Sequence, residues 1–206
     1  MNADNITIAI PKGFLHEGSH RYLSSLGINF QQKKDNRELI FYDKDNKVTG
    51  LLVRPNDVNA YVEHGSADLG IVGFDLLKEQ APDVVKLRDL KFGQCKLVFA
   101  IKKDSKHKGL NDFPSNITIA TKFTKLANDF INKKGLHAEI IKLYGSIELA
   151  PIINLSDAII DLVATGKTLK ANNLIAIETI LESSAILIAN PVSFKIKKAQ
   201  LLRLKI

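Results

Sequence analysis

The densest run of chemistry-bearing residues is Asp157-Ala158-Ile159-Ile160-Asp161-Leu162-Val163-Ala164-Thr165-Gly166-Lys167-Thr168-Leu169. An apolar strand that ends in an acid and runs through Thr-Gly-Lys-Thr into a helical stretch has the parts that a ribose phosphate needs. Gly166 lets the backbone close around a phosphate. Thr165 and Thr168 add hydroxyl donors, and the free N–H groups of a helix N-terminus favour the negative charge. Asp161 is suited to accept from ribose hydroxyls. Standing alone, the same residues also spell a turn with a threonine N-cap.

A second pattern competes. His16-Glu17-Gly18-Ser19-His20 fits H-E-x-x-H, in which two imidazoles one helical turn apart hold zinc beside a glutamate base. Glycine and serine weaken the helix that must present both rings, and no third-ligand motif follows, so the segment is read as structural. His64, His107 and His137 have no ligand spacing. The single cysteine, Cys95, excludes an intramolecular disulfide framework and sits in a strand-like context as a structural thiol.

These residues need a scaffold, and the apolar periodicity supplies one. Ile6–Ile10 reads as a strand, ended by Pro11-Lys12-Gly13 and followed by helical spacing to Gly27. Glu38–Tyr42 and Gly50–Val53 read as strands around a turn, Asn56 or Asp57 as the cap of a helix ending near Gly65, and Asp68–Gly73 as a buried strand. After Leu97–Ile101, a polar loop from Lys102 to Pro114 separates two similar halves. The second half repeats the alternation with strands at Ile117–Ala120, Ala138–Ile141 and Ala158–Asp161, a helix through Leu126 and Phe130, and another from about Ser146. The expected fold is α/β, with two lobes of mostly parallel sheet and ligands in a central cleft outside the strand carboxyl ends.

Composition fits that scaffold. The chain has 206 residues, 45% hydrophobic and 25% charged, as in an ordinary soluble globular protein. It has no apolar run of membrane-spanning length and no secretory signal pattern, so a cytoplasmic address and no membrane partner are expected. The net charge of +7 favours an anionic partner. The basic residues are dispersed in short pairs, such as Lys33-Lys34 and Lys133-Lys134, which argues against nucleic acid.

Glu139-Ile140-Ile141-Lys142-Leu143-Tyr144-Gly145-Ser146-Ile147-Glu148-Leu149-Ala150-Pro151, followed by Asp157 to Asn172, resembles the signature region of the ATP phosphoribosyltransferase family. Leu52 to Val58 and Tyr61 to Gly73 are similar to the same family in the same order. The likeness runs from Ile8 to about Lys198. It implies the first reaction of histidine biosynthesis, in which N1 of the adenine of ATP displaces pyrophosphate from phosphoribosyl pyrophosphate with Mg²⁺.

The resemblance also implies a fold like type II periplasmic binding proteins. Residues 1–94 and 185–206 would form a first lobe on the ATP side, and 95–184 a second lobe on the phosphoribosyl pyrophosphate side. Phosphoribosyl pyrophosphate is expected on Asp157, Asp161, Thr165, Gly166, Lys167, Thr168 and Leu169, and ATP on Lys12, Gly13, Arg54 and Gly73. Leaving-group charge must be neutralised, so magnesium and basic side chains matter more than a nucleophile. Arg37, which matches a family arginine, and Lys12 are the catalytic candidates. Ser146 and Glu148 belong to the signature; Glu148 either holds a ligand or stabilises its helix N-terminus.

Two positions depart from the family. The pattern after the first strand is Lys-Gly-Arg, whereas this chain has Lys12-Gly13-Phe14, and losing one donor to developing charge costs on the order of 10² to 10³ in rate. Either Lys12 or Arg54 compensates, or the chain is a catalytically weakened ligand-binding or scaffold subunit on the same fold. Phe74 stands where a lysine is common. The chain ends at Ile206, without the C-terminal regulatory domain of long family members. The resemblance therefore implies a homodimer within a hetero-oligomer, with a separate regulatory subunit resembling histidyl-tRNA synthetase.

Overall fold

In the computed structural model, which describes residues 5–30, 38–113 and 116–206, the chain divides into two compact units. The first comprises Met1–Gly93 with Ser184–Ile206, and the second Gln94–Ser183. In chain order the first unit contains β1 (Ile6–Pro11), α1 (His16–Ser25), β2 (Ile40–Asp43), β3 (Val48–Val53), α2 (Val58–Glu63), β4 (Leu69–Gly73), α3 (Phe74–Gln80) and β5 (Val85–Asp89). The second contains β6 (Cys95–Lys102), β7 (Ile117–Thr121), α4 (Thr124–Lys134), β8 (Ala138–Lys142), α5 (Leu149–Ile152), β9 (Ala158–Val163), α6 (Lys167–Ala171) and β10 (Leu174–Ser183). The chain then returns to the first unit as β11 (Ala185–Ala189), α7 (Pro191–Ile196) and α8 (Lys198–Arg203).

The strand orders are β2-β3-β1-β4-β11-β5 and β10-β6-β9-β7-β8. The sheets are mixed, not mostly parallel as expected: among the described residues four pairings are parallel and five antiparallel. Each parallel pair is joined through at least one helix. Where strand follows strand directly, at β2–β3, no helical crossover turns the chain around, and an antiparallel pair results. The helix expected from about Ser146 starts at Leu149, because Ser146 is left-handed at φ 51°.

The interior strands β1, β4 and β11 are buried along their whole length, which is why they read as continuous apolar runs. Ile6, Ile8 and Ile10 pack on one face with Leu23, Leu69 and Leu187, and Ala9 packs on the other with Val58 and Val62. Gly70 is needed there, since a Cβ would lie 2.7 and 2.8 Å from Val62 and Val58. Among the described residues no helix is long and apolar enough to cross a membrane.

The returning segment is held by a buried carboxylate. Asp68 Oδ2 accepts from Thr7 N and Lys197 Nζ, each at 2.8 Å, and Oδ1 accepts from Ser193 Oγ at 2.6 Å. The Asp68 and Lys197 side chains are 7% and 16% exposed. Removing one partner of a buried pair strands the other, so Asp68→Ala is expected to cost about 3–5 kcal/mol in a denaturant titration. A loss near zero would remove the pair from the forces that hold α7 in place.

Candidate active site

The parallel pairs place their carboxyl ends together. In the first unit Pro11 stands beside Val53 across β1 and β3, so Lys12 and Arg54 follow at the same level, and Lys12 N donates to Val53 O at 2.8 Å. Ile8 stands beside Leu69 and Ala9 beside Gly70, which carries the end of β4, Gly73, to that level too. Four residues expected from sequence, Lys12, Gly13, Arg54 and Gly73, are thus grouped at one sheet edge. Gly13 has φ +75° with open space around its Cα, so its backbone is exposed to a ligand. A Cβ at Gly73 would run into the carboxylate of Asp75, itself buried.

Phe14 follows at this edge and is 68% exposed, with no donor to offer. Phe74 is different: it packs partly into the core, and the ammonium groups of Lys86 and Lys78 lie 4.6 and 5.4 Å from its ring centroid. Two lysines stand over the ring at the position where the family commonly has one.

In the second unit the corresponding edge lies at the carboxyl ends of β7 and β9. Thr121 Oγ1 donates to Ile160 O at 2.6 Å and accepts from Phe123 N at 3.0 Å, fixing the turn after β7. Asp161 Oδ1 accepts from Leu162 N at 2.8 Å. Burial pushes the Asp161 carboxyl above the ordinary range; the Leu162 N–H and Lys122 oppose this, and the nearby charge of Glu148 adds to it. Lys122 stands close enough to act on Asp161 and was not singled out from the sequence, although a basic residue directly after a β-branched strand end was the available signal.

Beyond β9, Gly166 occupies the N-cap of α6 at φ +74°, a conformation that favours glycine. Leu169 from α6 and Ile147 from the loop before α5 are buried in one cluster with Val98, Ala120 and Ile159. This shared packing brings Thr165 to Leu169 and Ser146 to Glu148 onto one face of the sheet. Leu169 therefore acts as an anchor of its loop, being only 6% exposed. Glu148 stands at the N-cap of α5 but makes no side-chain capping bond.

Not every expected residue joins these groups. Asp157 is set apart, at the amino end of β9, where its Oδ2 accepts from Thr118 N at 2.8 Å and from Thr118 Oγ1 at 2.9 Å. A strand advances about 3.3 Å per residue, so roughly 20 Å of β9 separate it from the Thr165 loop. The sequence grouped the two acids because they flank one apolar run; the strand carries them to opposite ends. Arg37 lies outside the described residues.

The H-E-x-x-H segment packs on itself and on the first unit. Its imidazoles stack edge-on at 4.6 Å between centroids, while Glu17 faces solvent and pairs with Arg21 at 3.0 Å. Gly18 lies against the Phe92 ring, and Ser19 Oγ donates to Leu15 O at 2.7 Å. Burial, then the neighbouring His16, lowers the pKa of His20 and favours the neutral ring. Among the described residues no group of three His, Cys, Asp or Glu is arranged to hold a metal.

The family model HisG, described as ATP phosphoribosyltransferase, matches residues 54–205. The ATP phosphoribosyltransferase of Acaryochloris marina is 46% identical over 198 residues, covering 95% of this chain and 91% of the relative. The chain belongs to the ATP phosphoribosyltransferase family. The ATP phosphoribosyltransferase of Crocosphaera subtropica is 47% identical over 193 residues, 93% of this chain and 91% of its own.

Among solved structures, the ATP phosphoribosyl transferase (HisG:HisZ) complex from Thermotoga maritima matches with a TM-score of 0.82 at 34% identity, covering 97% of this chain and 96% of that one. The periplasmic aliphatic sulphonate binding protein SsuA of Escherichia coli matches at TM-score 0.61 and 13% identity, over 97% of this chain and 69% of that one. The second likeness is one of fold alone, that of periplasmic binding proteins. Membership of the ATP phosphoribosyltransferase family makes the sheet edge of each unit, taken by itself, a candidate for substrate binding.

Asp161 supplies a pH test. An acid whose folded pKa is raised binds its proton more tightly folded than unfolded, so it lowers stability as pH rises through the folded value. Asp161→Asn is expected to melt higher than the parent at neutral pH, with the difference vanishing at acid pH below the ordinary carboxylate range. A gain that persisted unchanged at acid pH would show that the charge was not its cause.

Proposed function

We propose that the chain transfers the phosphoribosyl group from phosphoribosyl pyrophosphate to N1 of ATP, giving phosphoribosyl-ATP and pyrophosphate, the first step of histidine biosynthesis. The observation that carries this reading is the grouping of signature residues Asp161, Gly166 and Thr168 at one sheet edge with Lys122 and Glu148. The relatives named for the activity, 44–47% identical, support it.

In this reading residues 95–184 hold phosphoribosyl pyrophosphate. The Thr165 to Leu169 loop receives the 5-phosphate through backbone N–H groups and the Thr165 and Thr168 hydroxyls, and Lys167 adds charge. Asp161 accepts from the ribose hydroxyls. Residues 1–94 with 185–206 hold ATP on Lys12, Gly13, Arg54 and Gly73. Lys12 and Arg37 stabilise the departing pyrophosphate, whose charge grows in the transition state.

The oxygen donors of Asp161 and Glu148 suit Mg²⁺, which is commonly bound by one or two carboxylates and completed by substrate phosphates rather than by a protein cage. When bound, Mg²⁺ neutralises pyrophosphate as it leaves. Ser146, left-handed at φ 51°, turns the backbone so that Glu148 follows at the start of α5.

The Thermotoga maritima neighbour is a HisG:HisZ complex. By that likeness the chain works as a homodimer within a hetero-oligomer, together with a separate regulatory subunit resembling histidyl-tRNA synthetase. Both substrates are products of central metabolism, which fits a cytoplasmic address.

Mixing the chain with ATP, phosphoribosyl pyrophosphate and Mg²⁺, with and without a regulatory subunit, should give phosphoribosyl-ATP detectable by absorbance. No product under either condition would sink the reading. Gly166→Val places a β-branched residue at φ +74°, so calorimetry should show loss of phosphoribosyl pyrophosphate binding with an unchanged far-ultraviolet spectrum. Unchanged affinity would move the phosphate elsewhere.

Phe14 sets the rate in this reading. Phe14→Arg restores a forked donor beside Lys12 and Gly13 and, since the parent ring is 68% exposed, disturbs little packing. Turnover at matched folded fraction is expected to rise, toward the factor on the order of 10² that one donor is worth. No gain with or without the partner would mean that Lys12 and Arg54 already fill the role.

A further inference from the structure

The second unit carries another polar cavity, at the end of its sheet opposite the Thr165 loop. Its position follows from strand register. Ile101 and Ile119 both stand beside Ala158, so one step further Lys102, Asp157 and Thr118 lie side by side on β6, β9 and β7. These three line a cavity of about 420 Å³ together with Asp104, Lys106 and Ser156. That volume is within the roughly 300–1,000 Å³ of small-molecule pockets.

The lining has bonding capacity left over. Both Thr118 donors fall on Asp157 Oδ2, which leaves Oδ1 without a partner among the described residues. Lys102 Nζ donates to Asn154 Oδ1 at 2.9 Å, using one of its three protons. Ser156 is 5% exposed, and its Oγ is buried with no hydrogen-bond partner. A buried hydroxyl left unpaired is unfavourable and rare, and a ligand in the cavity would satisfy it.

The charges indicate which ligand. Two lysines, Lys102 and Lys106, face two acids, Asp104 and Asp157. A site for phosphate would carry an excess of cations, whereas balanced charges suit a molecule with both signs. One wall is planar and aromatic: the His107 ring stacks on Phe113 at 4.6 Å between centroids and 29° between planes.

We propose that this cavity binds a small zwitterion of the amino-acid class. Lys102, Lys106 and the Ser156 hydroxyl receive its carboxylate, Asp157 and Asp104 receive its ammonium, and the His107–Phe113 stack meets its side chain. The proposal stands on the cavity alone and does not require the transferase reading.

The test screens the standard L-amino acids one by one against the full chain by thermal shift. The strongest binder is then titrated by calorimetry beside its 2-hydroxy acid and its decarboxylated amine, each of which lacks one charge. Both analogues should bind at least about tenfold more weakly, the value of one charge-assisted contact. Lys106→Gln, at an exposed position, should weaken the amino acid roughly tenfold without changing the melting temperature. Ser156→Ala should also weaken it, while the free protein melts at the same temperature or higher, because a buried unpaired hydroxyl has gone. No binding at millimolar concentration, equal binding of the hydroxy acid, or an affinity indifferent to Lys106→Gln would overturn the proposal.

Discussion

The first unit depends on the buried carboxylate of Asp68, because its chain is discontinuous. Ninety residues of the second unit, Gln94–Ser183, intervene before the chain returns, and the returning strand and helices must find partners made long before. Asp68 solves this by standing where three segments meet: Thr7 at the start of β1, the start of β4, and Ser193 and Lys197 around α7. Asn190 completes the junction, capping α7 through its side chain while its Nδ2 donates to Val62 O at 2.9 Å. A salt bridge this deep is weak evidence for net stability, since burying both charges opposes their attraction. Its value is specificity: only one register of β11 against β4 satisfies every partner.

That register decides where chemistry can happen. A parallel pair ends both strands on the same side, so loops that follow β1, β3 and β4 in the first unit, or β7 and β9 in the second, open at a common edge. Backbone N–H groups at such ends have no ladder partner and are available to anions. The antiparallel strands β6, β10 and β11 have another task. They widen the sheets and bury the parallel pairs, leaving the parallel strands to present the loops.

What the sequence made legible follows from the same geometry. Strands β1 and β4 announced themselves because burial on both faces requires uninterrupted apolar residues, and the Thr165 loop did so because Gly166 needs a left-handed backbone. Asp157 was misgrouped because proximity in sequence means distance along a strand: nearby acids on one strand diverge at about 3.3 Å per residue. Lys122 was missed for the converse reason, since its nearness to Asp161 arises from pairing between β7 and β9, residues some forty positions apart in the chain. The mixed sheets were hidden because periodicity reports burial, not direction. In H-E-x-x-H the same spacing that suits metal ligands also suits two rings packed against each other, and here Glu17 pairs with Arg21 while Phe92 lies on Gly18.

The unsatisfied groups of the second unit carry one more argument. Among the described residues, none of its interior strands has a buried polar side chain without a partner: Thr121, fully buried, both donates and accepts. The strained or unpaired groups lie at the two ends of β9 instead, with Asp161 held above its ordinary pKa at the carboxyl end and Ser156 Oγ unpaired at the amino end. Each would be relieved by a ligand, Asp161 by cations and hydroxyls, Ser156 by an acceptor or donor. A fold selected only for stability would replace both, since apolar or neutral residues there cost less. Both stand at strand ends rather than in the middle of the sheet, where the proposed ligands would meet them.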